Sequence, residues 1–512
     1  MNEGELVDIK FLEKECWYGG AVHKGYMMPL TEESDVEMNL ITAEGISDQF
    51  SPIFISNKGR YIISDKPFVV HFDKGTIKIN TDYDIELGEG YETLKGAYLE
   101  VSKKKFVKSE NIPNKLFFEA PQYNTWIELM YNQNQKQILE YAKTLKEAGL
   151  PTGVLMIDEG WAPDYGDYEF CARKFSDPKK MVDELHEMGF KVMLWVTPLI
   201  SPDSDCYREL RNTNYLIKNS DGKLAVREWW NGFSAVLDLS NPEVCDWFDG
   251  KLQNLMDKYG VDGFKFDAGG SYLYRKDDQT YIKQEQSEHT KSFAQFGAKY
   301  EFNELRCVWD CGGMPLVCRL QDKASSWTHE EGITMIIPNM IQQGILGYFY
   351  GCPDMIGGGE YGSFLSDDYK FDEELYVRWF AASIFSPMMQ ISISPKRLLS
   401  EESMKIVMNF MDMRSEYLGY MMELIEKTTE TQEPVMRFME YEFPNQGMEK
   451  VTDQFMLGDR YLIAPVLEQG KNSRIVHIPE GKWKRRNGEV LDGGCACEIA
   501  AKLDELIILE RL

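Results

Sequence analysis

Val261-Asp-Gly-Phe-Lys-Phe-Asp-Ala-Gly269 is the stretch whose reading decides the fold. Its apolar residues alternate and run into a lone carboxylate, Asp267, followed by Ala268 and Gly269. Alternation of period two marks a strand. A carboxylate at a strand end, followed by a permissive glycine, is where parallel α/β barrels place their chemistry. The plainer reading of the same segment is a carboxylate that caps the next helix.

A second acid, Asp322, lies in Arg319-Leu-Gln-Asp-Lys-Ala-Ser-Ser-Trp327, after a strand-like run from Leu316 to Leu320. Two acids from two strand ends suit glycoside hydrolysis. That reaction needs one carboxylate to attack the anomeric carbon or activate water and another to protonate the leaving oxygen.

Outward from these acids, the chain alternates strand and helix. Phe117-Phe-Glu-Ala120, a helix near 133–148, Gly153 to Asp158, a helix near 178–188 and Lys191 to Val196 are followed by strands ending at Asp267, Trp309, Leu320, Asp354 and Ser392. Eight strands with intervening helices predict a (β/α)8 barrel in an α/β chain. The long connection 201–232 predicts an excursion over the strand ends, where Trp229 and Trp230 either shape the site or anchor the loop.

Residues 1–114 show short apolar runs such as Phe68-Val-Val-His-Phe72 between Gly, Asp and Lys, and predict an N-terminal β-sandwich. The barrel is expected over 115–428, with a helix near 401–427. The polar stretch Lys427 to Pro434 reads as a boundary, and β patterns over 429–512 predict one C-terminal sandwich or two small ones.

At 512 residues the chain exceeds one ordinary core. Aromatic residues make up 13% of it, which suits stacking on sugar rings, although most are expected in the core. Lys and Arg number 56 against 83 Asp and Glu, and the net charge of -27 repels nucleic acid and anionic membranes. A neutral substrate fits better, and the surface is compatible with homo-oligomers. The acidic N-terminus has no apolar core segment, so a cytoplasmic chain without a secretory signal is expected. The stretch Ile333 to Gly351 is interrupted by Pro338, Asn339, Gln342 and Gln343, unlike a transmembrane helix. Ten scattered cysteines read as free thiols, and neither Cys307, Cys311 and Cys318 nor Cys495 and Cys497 has the partners of a zinc site. No metal or cofactor is expected.

DGFKFDAG (262–269), LQDKASSW (320–327), PDMIGG (353–358) and the run from Pro434 to Leu467 resemble glycoside hydrolase family 31, the retaining α-glycosidases. The resemblance spans nearly the whole chain and implies an N-terminal β-sandwich, a (β/α)8 barrel and C-terminal β domains. It places the nucleophile on Asp267, the general acid/base on Asp322, a sugar-binding acid on Asp158, a binding arginine on Arg306 and an aromatic wall on Trp195. Lys265 matches a lysine two residues before the nucleophile, on the same strand face. Asp354 and Arg319 are expected to hydrogen-bond sugar hydroxyls, and Trp230 and Trp327 to offer apolar faces. Glu330 and Glu331 are rival proton donors that lie past the matching position.

The chain departs from many α-glucosidases and α-xylosidases of the family. It reads Pro387-Met-Met-Gln390-Ile-Ser392 in place of an Arg-x-His pair, and Gly269-Gly270 where many have Gly-Glu. Together with CWYGG (16–20), KFDAG, WWNG (229–232) and PMMQISISP (387–395), this looks like the branch associated with α-galactosides. The implied activity is hydrolysis of terminal α-galactosides by double displacement, with α-glucosidase, α-xylosidase or transglycosylase as alternatives. A noncatalytic carbohydrate-binding or regulatory protein on a glycosidase scaffold is the reading from another class. The mechanism further implies an ionised Asp267, favoured by Lys265, and an Asp322 whose pKa is raised by the charge of Asp267 and by burial.

Overall fold

The computed structural model describes residues 5–42, 49–329, 331–366 and 369–512. Its centre is a barrel of eight strands in the order Gln122–Asn124, Val154–Ile157, Lys191–Val196, Gly263–Phe266, Phe302–Leu305, Val317–Arg319, Tyr350–Cys352 and Gln390–Ile391. Every pairing between neighbours is parallel. A parallel bridge from Met355 to Gln390 closes the seventh strand on the eighth.

The fourth strand shows why the opening segment reads as it does. Phe264 and Phe266 point outward, and Phe266 packs on Phe293, Phe296 and Tyr300 at ring distances of 5.7, 6.1 and 5.6 Å. Lys265 then faces inward, registered beside Trp195 on one side and Glu304 on the other. Gly263 permits this packing, because a Cβ there would lie 2.0 Å from the Phe302 carbonyl oxygen on the fifth strand. The preceding helix, Pro242–Tyr259, starts where the Asn241 side chain accepts from the Glu243 N–H and ends at Gly260 in the left-handed region, φ 81°.

Two barrel strands lie elsewhere than the sequence predicts. Phe117-Phe-Glu-Ala120 is not the first strand; Leu116–Glu119 is a short helix and the strand follows at Gln122. The helical turn sends Phe117 against Phe302 and Phe118 against Tyr350, the residues that begin the fifth and seventh strands. The fifth strand is Phe302–Leu305 and does not extend to Trp309. Val308–Trp309 leaves the barrel and pairs in parallel with Gln49 and Phe50. The apolar run continues across this change of sheet, so periodicity does not mark it.

The N-terminal region is two facing sheets. One has the order Glu5–Lys10, Thr76–Thr81, Val69–Asp73, Asp35–Asn39; the other is built on Gln49–Ser56 and receives Val308–Trp309 as a strand. Phe54 meets Phe68 and Phe72 between them, at 6.3 and 5.3 Å. A helix, Leu94–Lys105, follows this sandwich and is absent from the sequence reading. Beyond the barrel, the helix Glu401–Thr431 runs through most of the polar stretch read as a boundary. The C-terminal region forms a six-stranded and a two-stranded antiparallel sheet around Met456, Leu462, Val476, Trp483 and Leu509. The ten cysteines are free.

The connection 201–232 belongs to an excursion that includes a three-stranded sheet of Leu199–Ile200, Gly232–Val236 and Val226–Trp229. Trp229 pairs with Gly232, so Trp230 and Asn231 form a two-residue turn at the tip of a hairpin.

Candidate active site

The C-terminal ends of the barrel strands surround a cavity of about 400 Å³. Asp158 enters it from the second strand, Lys265 and Asp267 from the fourth, Arg306 from the fifth and Asp322 from beyond the sixth. Trp126, Tyr131, Trp230, Gln321, Glu360 and Tyr361 complete the walls with Glu159.

Asp267 is 4% exposed, and its carboxylate is surrounded by donors. One oxygen accepts from the Trp195 indole N–H at 2.9 Å, the other from the Ala268 N–H at 2.8 Å. The second bond forms because Ala268 and Gly269 both take positive φ, 55° and 75°, and fold the backbone back on the carboxylate. Lys265 Nζ lies 3.8 Å from Asp267 and donates to Asp158 at 2.6 Å. Burial opposes the charge on Asp267, but Arg306, Lys265 and Arg319, with the Trp195 donor, outweigh it and hold the carboxyl well below the usual range.

Arg306 joins the two acids. Its Nη1 lies 3.6 Å from an oxygen of Asp267 and 3.5 Å from one of Asp322. Asp322 also accepts from Arg319 Nη1 at 2.7 Å. Burial and Asp267 push the Asp322 pKa up, yet Arg306 and Arg319 prevail and the shift is downward. The expectation of a raised pKa at Asp322 is therefore corrected: the guanidinium groups of Arg306 and Arg319 outweigh burial and one neighbouring carboxylate.

Four further expectations change. Arg319, 1% exposed, lies beneath the cavity, where it binds Asp322, Asp354 and the Leu320 carbonyl and approaches Glu304 at 3.4 Å. Asp354 is also beneath it, accepting from the backbone N–H groups of Lys323 and Gly359 at 2.7 and 3.0 Å. The pair locks the loops after the sixth and seventh strands and does not line the cavity. Trp327 lies outside the lining and donates to Asp372 at 2.8 Å. Trp195 turns its N–H to Asp267, while its ring lines an adjoining cavity of about 300 Å³. Glu331 is exposed, and Glu330 lies outside the described residues.

Two acids are absent from the sequence reading. Glu159, beside Asp158, lines the cavity; burial and the charges of Asp158 and Asp267 push its carboxyl up to about 7 despite donors from Tyr131 and Trp230. The strand-end argument that singles out Asp158 in Ile157-Asp-Glu-Gly160 applies equally to its neighbour. Glu304 lies inside the barrel, accepts from Gln390 at 2.7 Å and is raised to about 7 by burial, against Arg319 and Lys265. Its strand, Phe-Asn-Glu-Leu305, carries no signal beyond alternation. Tyr131, Trp126 and Tyr361 form an aromatic cluster with ring distances of 5.1 to 5.4 Å, brought together from two loops distant in sequence.

Among the described residues, Asp35, His71 and Asp73 have spacing that would suit a metal, but they lie on the N-terminal sandwich, where Lys74 and Lys78 pair with the two acids. No helix among the described residues is long and apolar enough to cross a membrane.

Comparison with known proteins identifies the family and the fold. Residues 119–306 and 318–424 match the family model for the glycosyl hydrolases family 31 TIM-barrel domain, and 432–511 match that for the family 31 C-terminal domain. The chain is 32% identical to the myogenesis-regulating glycosidase of Mus musculus over 398 residues, covering 76% of this chain and 55% of the relative. It is 24% identical over 429 residues to the 1,3-alpha-isomaltosidase of Kribbella flavida, covering 73% and 57%. The chain spans about half the length of the curated relatives it matches. Among solved structures, a Flavobacterium johnsoniae GH31 dextranase superposes with a TM-score of 0.83 at 20% identity, covering 100% of this chain and 67% of that one. A GH31 alpha-xylosidase from a soil metagenome gives 0.80 at 20% identity, covering 99% and 79%. These two likenesses concern the fold.

Proposed function

Because the chain belongs to glycosyl hydrolase family 31, we propose that it is a retaining, exo-acting α-glycosidase that hydrolyses terminal α-galactosides. Residues 115–428 provide the catalytic barrel in this reading, with 1–114 and 429–512 as flanking β domains. The carrying observation is the shared contact of Arg306 Nη1 with Asp267 and Asp322. The two contacts bound the separation of those oxygens at about 7 Å, which the gap of about 5–5.5 Å of a retaining pair satisfies.

Asp267, held ionised by its cations and by Trp195, attacks the anomeric carbon as Asp322 protonates the departing oxygen. Asp322 then takes a proton from water, which attacks the glycosyl-enzyme and releases the sugar with retained configuration. Asp158 and Lys265, bonded side by side, present paired acceptor and donor groups to sugar hydroxyls. Support for a galactoside comes from the α-galactoside-branch segments and from the missing Arg-x-His pair; Gln390 in that stretch instead turns its amide to Gln122 and Glu304 within the barrel.

The test is initial hydrolysis of p-nitrophenyl α-galactoside, α-glucoside, α-xyloside and α-N-acetylgalactosaminide, with Asp267→Ala as control and Asp322→Ala assayed with and without azide. The α-galactoside signal should dominate, vanish in Asp267→Ala, and return in part with azide in Asp322→Ala with retained configuration. Dominance of another sugar removes the galactoside assignment and leaves the carboxylate roles standing. Silence on all four from folded protein turns the reading towards a noncatalytic carbohydrate-binding protein.

A further inference from the structure

Trp230 is 43% exposed at the tip of its hairpin, yet it forms a wall of the cavity. One edge of the ring packs on Trp229 at a centroid distance of 4.9 Å, and specific bonds set its orientation over the cavity. Those bonds converge on one carboxylate. Glu159, 2% exposed, accepts from Asn231 Nδ2 at 2.6 Å and from the Trp230 indole N–H at 3.2 Å through Oε2, and from the Tyr131 hydroxyl at 2.9 Å through Oε1. Tyr165 adds a longer contact at 3.4 Å.

The acceptor is itself fixed. The Glu159 N–H donates to Asp158 at 2.9 Å, and Gln133 Nε2 donates to the carbonyls of both Asp158 and Glu159, at 2.6 and 2.7 Å. On the far side, the Arg306 guanidinium lies over the Trp230 ring, its Cζ 5.5 Å from the centroid. The same guanidinium contacts Asp267 and Asp322.

We propose that Glu159 is a positioning residue, which holds Trp230 and Asn231 over the cavity and, through the Trp230 ring, sets Arg306 between the two acids. A carboxylate suits the task because one oxygen can accept several donors at once. Asp158, Lys265, Asp267, Arg306, Asp322 and Glu360 are the other charged groups that line the cavity, with Tyr131 and Tyr165 bonded to Glu159. Glutamine can substitute geometrically: its oxygen takes the Asn231 and Trp230 donors, and its amide donates to the Tyr131 oxygen, whose hydrogen turns to Asn231 Oδ1 at 3.3 Å.

The kinetic part of the test rests on the glycosidase reading; the first part does not. Hydrogen exchange of the segment 226–236 should speed up about tenfold or more in Glu159→Ala and remain near wild type in Glu159→Gln, in proteins that melt cooperatively. On the galactoside, Glu159→Ala should lower kcat/KM by about tenfold to a hundredfold, as expected when a reacting group is misplaced, and Glu159→Gln should recover most of it. The double variant Glu159→Ala/Trp230→Ala should lose little beyond Trp230→Ala alone, because both act along one path. Unchanged exchange in Glu159→Ala, additive losses in the double variant, or a Gln variant as impaired as Ala would each overturn the proposal. An inactive wild type would sink the glycosidase reading and leave the exchange measurement to decide this one.

Discussion

In the proposed mechanism Asp322 has to hold a proton to serve a leaving group, yet Arg319 and Arg306 lie 2.7 and 3.5 Å from its oxygens and lower its pKa. The sign of the pH dependence follows. Only the protonated fraction of Asp322 is productive, and above a lowered pKa that fraction falls as pH rises. For an unactivated galactoside, kcat/KM should therefore decline by about tenfold per pH unit, beginning on the acid side of neutrality. A dinitrophenyl galactoside, whose leaving group needs no proton, should decline far less. Profiles of the two substrates between about pH 4 and 8 check this, and a flat profile for both across neutrality would remove Asp322 from the acid role. Asp267 does not set this limb, since its own shift keeps it ionised throughout.

Between elements, one side chain secures the seam where the barrel's last strand meets its first. Arg414, 2% exposed and midway along Glu401–Thr431, donates to the carbonyls of Ile384 and Ser386 at 2.6 and 2.8 Å. Its other terminal nitrogen reaches Pro387, just before the eighth strand, and Phe118, just before the first, both at 2.8 Å. Leucine would fill much of the volume but orphan four carbonyls. Arg414→Leu should cost at least about 3 kcal/mol in chemical denaturation, since hydrogen bonds to a charged donor contribute about 1.5–3 kcal/mol each and buried acceptors left unpaired cost more. A loss under about 1 kcal/mol would mean that water or a shift of the loop replaces the guanidinium.

Across the whole molecule, the N-terminal sandwich is joined to the C-terminal region through Tyr18, whose ring packs at a tilt of 60° against Phe438, 4.9 Å between centroids, and whose hydroxyl donates to the Glu449 carbonyl at 2.9 Å. Glu440 is buried at this junction with one carboxyl oxygen unpartnered. Burial, then the charge of Glu449, pushes its pKa up from 4.5 to about 8. A carboxyl raised on folding favours the native state while neutral, so its contribution is lost as pH rises from about 4.5 through about 8. Glu440→Gln does not titrate. Its Tm advantage over wild type should grow between about pH 5 and 9; a difference independent of pH would show that this carboxyl is not ionising inside the junction.

The barrel and its central acid were legible in the chain because they depend on local physics. Alternation puts Lys265, within the strand Gly263–Phe266, and Asp267, just past its end, on one side, and parallel barrels gather strand ends at one rim. Asp158, Arg306 and Asp322 reach the cavity for the same reason. What local pattern does not contain is which sheet an apolar run joins: Val308–Trp309 reads as barrel and pairs with the N-terminal sandwich, and Phe117-Phe118 reads as a strand and turns as a helix to reach Phe302 and Tyr350. Nor does it contain whether a polar side chain faces the cavity or supports it from below, which separates Asp322 from Arg319 and Asp354. Tertiary structure alone decided those questions, along with the direction of the Asp322 shift and the place of Glu159, because each depends on distances and burial that only the folded chain fixes.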